Sequence, residues 1–149
     1  MKLIRITTDN EISVHDFPEG NYTEHNKVLR DLIGNNCRIY EHVMPERLYT
    51  ELNMESRPTK VPGQCVSMLV DEEGGLKENK PNLVGSYLYK TDQHGCPIMG
   101  NILFIGEEWS GDGIGFCGIE NSVFKDLEQQ LSHMIDVMEK ARRCLAYEN

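Results

Sequence analysis

Apolar positions recur along this chain with two periods, near two in short runs and three to four in helical stretches, the longest of them near its end. Lys2–Thr7 and Glu11–Val14 are short β-prone runs around Asp9-Asn10, the composition of a tight hairpin. Past the Pro18/Gly20 turn, Thr23 is placed to cap a helix whose Val28, Leu29, Leu32 and Ile33 form one stripe, with Gly34 as its stop. Cys37–Val43 reads as a strand, and Pro45 opens a brief helix carrying Leu48 and Leu52. Residues 53–63 hold Pro58, Pro62, Arg57 and Lys60 with little apolar content, so they read as an exposed loop.

Cys65–Asp71 is the clearest central strand, ended by Asp71-Glu72-Glu73 and Gly74-Gly75. Asn82 is placed to cap a short helix in which Leu83, Val84, Tyr87 and Leu88 repeat at helical spacing, with Tyr87 and Leu88 toward the core. A loop over Thr91–Pro97 leads to a strand at Ile98–Ile105, and Gly111 and Gly113 turn the chain into Ile114–Ile119. Residues 120–147 form a long helix, because Phe124, Leu127, Leu131, Met134, Met138, Ala141 and Leu145 alternate at spacings of three and four. That spacing also satisfies a heptad seam, which allows a homodimer. Val123, Ile135, Val137 and Cys144 widen the stripe, as expected of a helix lying on its own sheet. The pattern predicts one α+β domain over residues 1–149, a mainly antiparallel sheet of five or six short strands with the long C-terminal helix packed on one face.

Composition agrees with a single core: 149 residues, 39% hydrophobic and 26% charged. Net charge is −9, unevenly spread, since residues 1–60 hold 10 acidic and 8 basic side chains and residues 61–149 hold 14 and 7. This balance disfavours direct nucleic-acid binding and a polybasic membrane contact, and it serves solubility first. An acidic face can also mimic the phosphate pattern of DNA in a basic groove. Five widely spaced cysteines and an N-terminus without an apolar leader core point to free thiols in the cytoplasm, and no stretch is long enough to span a membrane.

Gly113-x-Gly115-x-x-Gly118 matches a dinucleotide fingerprint only superficially, because the glycines fall in a hairpin and not in a strand-to-helix turn. No metal-ligand spacing occurs locally, and a set assembled from His42, Cys37 and His94 would need distances that sequence does not give. Cys96 with His94 is a nucleophile pair only on paper. Asp71, Glu72 and Glu73 at a strand end are candidates for acid–base work, though acids at a glycine turn commonly cap backbone N–H groups. Trp109, the one tryptophan, lies in Glu107-Glu-Trp-Ser-Gly-Asp112, where an aromatic flanked by acids suits either a partner anchor or a cover for the sheet.

The segment Val66-Ser-Met-Leu-Val-Asp-Glu-Glu-Gly74, with Leu76, Pro81-Asn82, Leu88-Tyr89, His94-Gly95, Pro97-Ile98 and Gly100-Asn-Ile-Leu-Phe-Ile-Gly106, resembles domain of unknown function 3846. The resemblance covers residues 1–135. It implies an accessory protein of bacteriophages and mobile elements in the bacterial cytoplasm, and it brings no reaction, cofactor or catalytic residue. The Glu107–Asp112 turn and the helical tail Lys140–Asn149 depart from that family's pattern.

Three functions follow as expectations. The first is a non-catalytic protein that engages a host protein, such as a defence component, through Glu107, Glu108, Trp109 and Asp112. The second is a protein that sequesters a nucleotide or metabolite between Asp71, Asn82 and His94. The third is a small hydrolase using Asp71 and His94, for which no motif supplies nucleophile, base and oxyanion donor together. No cofactor is expected in any of them.

Overall fold

The computed structural model describes residues 1–148, with side chains through Leu145. Six antiparallel strands make one sheet, β1 (Lys2–Ile6), β2 (Ile12–Asp16), β3 (Tyr40–Val43), β4 (Cys65–Asp71), β5 (Ile102–Ser110) and β6 (Gly113–Cys117). Their order is β2-β1-β5-β4-β3, and β6 also pairs β5. One side of β5 therefore carries two strands in succession: β1 along Ile102–Phe104 and β6 along Gly106–Ser110. The fold is α+β, as the alternation predicts.

Helix α1 (Tyr22–Ile33) starts earlier than the Thr23 reading, because Asn21 and Glu24 close a reciprocal capping box. It ends at Gly34, whose φ of 78° only glycine adopts readily. Helix α2 (Glu46–Thr50) follows Pro45, α3 (Leu83–Tyr89) is capped by Asn82 as expected, and α4 (Thr91–His94) is a single turn inside the anticipated loop. Helix α5 (Asn121–Glu148) is the predicted long helix, and the last tail residue, Asn149, lies outside the described residues.

Strand alternation sorts the core into two layers. Ile4, Ile6, Val66, Met68, Ile102 and Phe104 face α2, α3 and α5, where Leu48, Val84, Leu88, Leu127 and Leu131 complete a large apolar cluster. Leu3, Leu69, Leu103 and Ile105 face the other way and meet Leu29 and Ile33 of α1. Every residue of β4 is buried, which is the signature of a strand covered on both faces. Two expectations are corrected here. Tyr87 sits at the rim with Arg47 stacked over its ring, while Leu88 fills the core. The strand expected at Ile98–Ile105 instead begins at Ile102 and continues through Glu107–Ser110, leaving only Gly111-Asp112 as the turn.

Candidate functional site

The sheet face that carries α1 is covered only along its lower half, and polar chemistry gathers in the upper half. Glu107 projects from β5 onto this face and is 2% exposed. Cys65 and Ser67 come from the adjacent β4. The Ser67 hydroxyl donates to Glu107 Oε1 at 3.1 Å, and the Cys65 thiol donates to Oε2 at 3.3 Å. His42 of β3 reaches across to bring Nε2 within 2.7 Å of Oε1. Burial raises the Glu107 carboxyl, but His42, Cys65 and Ser67 together outweigh it and hold it below the usual carboxylate range. Burial and the Glu107 charge push the Cys65 thiol up to about 12. Ser67 and Cys65 are fully buried, so the cluster holds a charge in place and presents no nucleophile to solvent.

Phe116 of β6 roofs this cluster, its ring 5.2 Å from His42 and 6.3 Å from Tyr40. Tyr40 in turn donates its hydroxyl to the Asn26 side chain, tying β3 to α1. Beyond Phe116 opens a groove of about 500 Å³ lined by Phe17, Tyr22, His25, Leu29, Tyr40 and Ile114, with Asn26, Glu108 and Gly115 at its margins. Its rim is apolar and exposed: Tyr22 is 77% exposed, Trp109 60% and Ile114 53%. Trp109 pairs with Ile114 across the β5–β6 hairpin. The acidic cluster thus supports a floor of aromatic rings, and a fixed floor lowers the ordering cost of binding.

The partner-contact residues expected from sequence divide here. Trp109, Glu108 and Asp112 lie on the hairpin, where Trp109 and Asp112 are exposed. Glu107 does not belong to any acidic surface, because strand alternation turns it inward beneath His42 and Phe116.

Asp71, Asn82 and His94 are each engaged elsewhere. Asp71 accepts from the Glu73 N–H and from Lys77 Nζ at 2.7 Å, while the same ammonium donates to the Asn35 and Asn36 carbonyls. Asn82 is fully buried: its Oδ1 accepts the Gly85 N–H, and its Nδ2 donates to the Ile6 and Gly100 carbonyls. Those three bonds use both donors and the carbonyl of the amide, so its role is to cap α3 and tie it to the sheet. His94 stacks on Tyr89 at 4.4 Å and meets Glu46 at 2.9 Å, on the outer surface. Asp71 borders a polar cavity of about 250 Å³ with Thr8, Asn35, Asn79, Lys80 and Asn101, whose walls include neither Asn82 nor His94.

Cys37, His42 and His94 do not converge: Cys37 faces the Ile39 carbonyl, His42 meets Glu107 and His94 meets Glu46. Among the described residues no group of three or more His, Cys, Asp and Glu is placed to hold a metal ion, and no helix is long and apolar enough to cross a membrane. No family model, no curated protein and no solved structure matches the chain.

Proposed function

We propose that this chain is a non-catalytic binding protein that docks a protein partner on the face between α1 and the β5–β6 hairpin. One observation carries the reading: Tyr22, Trp109 and Ile114 are large, exposed and contiguous with a groove whose floor is locked by the buried Glu107 cluster. Exposed aromatic anchors beside a preorganised pocket are what protein interfaces use for affinity. Glu108 and Asp112 supply an acidic margin that orients a basic partner. The resemblance to a phage and mobile-element family supports a host protein, such as a defence component, as that partner.

The test places a photo-crosslinking benzoylphenylalanine at position 109, at position 22, or at the 87% exposed Leu76 beyond the far end of β4. Irradiated cells of the natural host are expected to give one adduct of common mass from positions 109 and 22 and none from position 76. Equal labelling at all three, or none, removes this face as the docking site.

A second reading has its own observation. The polar cavity beside Asp71, lined by Thr8, Asn79, Lys80 and Asn101, has the chemistry for a small polar metabolite. A ligand held there raises the melting temperature, and an absence of shift across a panel of nucleotides and sugars overturns it.

A further inference from the structure

The β5–β6 hairpin leaves β6 as an edge, and its geometry fixes which backbone groups face outward. Gly111-Asp112 is a two-residue turn closed by Ser110 opposite Gly113, so the closing pair shares ladder hydrogen bonds and alternate pairs do not. Ile114 opposite Trp109 and Phe116 opposite Glu107 are then the pairs without mutual bonds. A separate contact agrees with this phase: the Glu107 carbonyl accepts from the Gly63 N–H at 3.1 Å, on the β4 side and away from Phe116. The N–H and C=O groups of Ile114 and Phe116 therefore point out of the sheet. Among the described residues neither has a backbone partner outside the hairpin.

The groove lies along that same edge. Ile114, Gly115 and Phe116 form one wall, and Phe17, Tyr22, His25 and Leu29 form the other. Gly115 faces the side of the ladder opposite Ile114 and Phe116, where a side chain would meet Glu108, and its lack of one leaves Glu108 room to reach the groove. Four unpaired backbone groups, an apolar slot and a carboxylate thus share one line. Edges of this kind are usually blunted by lysine, proline or a covering element, and here the edge residues are Gly113, Ile114, Gly115 and Phe116.

We propose that the partner presents an extended segment that adds to β6 as a further strand, with an aromatic or large aliphatic side chain in the groove and a lysine or arginine beside Glu108. This rests on the docking face proposed above and specifies how it is used. Main-chain pairing with Ile114 and Phe116 supplies affinity, and the groove and Glu108 supply choice of sequence. The net charge of −9 favours the basic residue over an acidic one at that margin.

The experiment selects random nonapeptides on the full chain, with counter-selection on Ile114→Pro, a substitution that deletes one outward N–H and that an edge strand tolerates. The enriched peptides are expected to place an aromatic or large aliphatic residue one or three positions from a lysine or arginine, because Glu108 and Gly115 face the opposite side of the ladder from Ile114 and Phe116. The best peptide should slow hydrogen exchange at the Ile114 and Phe116 amides of the wild-type chain. N-methylation of its alternate amides, which leaves both its side chains and the protein intact, should weaken binding at least tenfold. Glu108→Lys should reverse the preference from basic to acidic peptides.

Peptides that bind and change Trp109 fluorescence, yet neither protect Ile114 and Phe116 nor respond to N-methylation, overturn strand addition and leave the docking face standing. Strand addition also falls, and the face again stands, if no peptide is enriched while positions 109 and 22 still crosslink. Protection of Ile114 and Phe116 that rises with protein concentration alone overturns the partner segment in favour of a second copy of this chain. Loss of both peptide binding and crosslinking overturns the face itself.

Discussion

The two faces of the sheet are built from the same strands and have opposite characters. On one, Val66 and Met68 of β4 and Phe104 of β5 are sealed beneath α2, α3 and α5. On the other, the same two strands present Cys65, Ser67 and Glu107, and α1 covers only the stretch around Leu3, Leu69, Leu103 and Ile105. The first face holds the fold together by burial. The second gives up burial over its upper half and holds its shape with charge and hydrogen bonds, leaving aromatic surface in solvent. A sheet that is stable through one face is free to commit part of the other to recognition.

The sharpest test of that division is Phe104→Ala, which opens a cavity in the sealed layer and should cost about 3–5 kcal/mol in chemical denaturation. A cost under about 1 kcal/mol would mean that the three-helix face is not where stability resides. Next comes Glu107→Ala, expected to cost about 2–4 kcal/mol, because Ser67 and Cys65 lose their acceptor inside the protein. The acid dependence follows in sign. The folded Glu107 carboxyl lies below its ordinary value of 4.5, so its stabilisation is complete above that value and is lost as pH falls through the folded one. The stability gap between wild type and Glu107→Gln should narrow as pH falls below about 4.5. A gap that does not narrow below about pH 4.5 would overturn the assignment of an ionised Glu107.

Lys77→Met tests a smaller anchor at the lower end of the sheet. Lys77 joins Asp71 to the carbonyls of Asn35 and Asn36, which with Gly34 make three successive residues at positive φ. Its loss should cost about 1–3 kcal/mol and speed amide exchange in that loop. The smallest effect on stability belongs to Tyr22→Ser, within about 0.5 kcal/mol, since the side chain is mostly in solvent. The same change should weaken partner capture severalfold, and a variant that loses stability without losing capture would exchange the roles assigned to the two faces.

How much of this is legible in the sequence depends on distance along the chain. β4 reads correctly to the residue because an apolar run bounded by loop and turn signals is a local feature, and Asn82 and α5 are legible for the same reason. The capping box at Asn21 and Glu24 is equally local, and Thr23 competes with it as a cap. The site is not local. Glu107 resembles a loop acid because its partners, His42, Cys65 and Ser67, lie about 40 to 65 residues earlier and meet only through the sheet. One signal does reach into that segment: Leu103, Ile105, Glu107 and Trp109 keep period two up to Gly111-Asp112, and Ile114 and Phe116 mirror it beyond. Charge at the third of those positions hides a strand that periodicity alone extends. Asp71, Asn82 and His94, grouped because each ends or begins an element, are separated by a topology that sequence does not carry.

β5 has a further consequence, for the order in which the protein is made. The strand pairs β1–β2 and β3–β4 share no strand partner except β5, which pairs Phe104 with Ile4 on one side and with Met68 on the other. At a synthesis rate of roughly 5–20 residues per second, the stretch from Asp71 to Ile102 keeps the inner edges of β1 and β4 open for about 2–6 s on the ribosome. During that interval the nascent chain carries two unpaired apolar edges that the finished protein never shows, and it is then, before β5 emerges, that chaperone protection matters most.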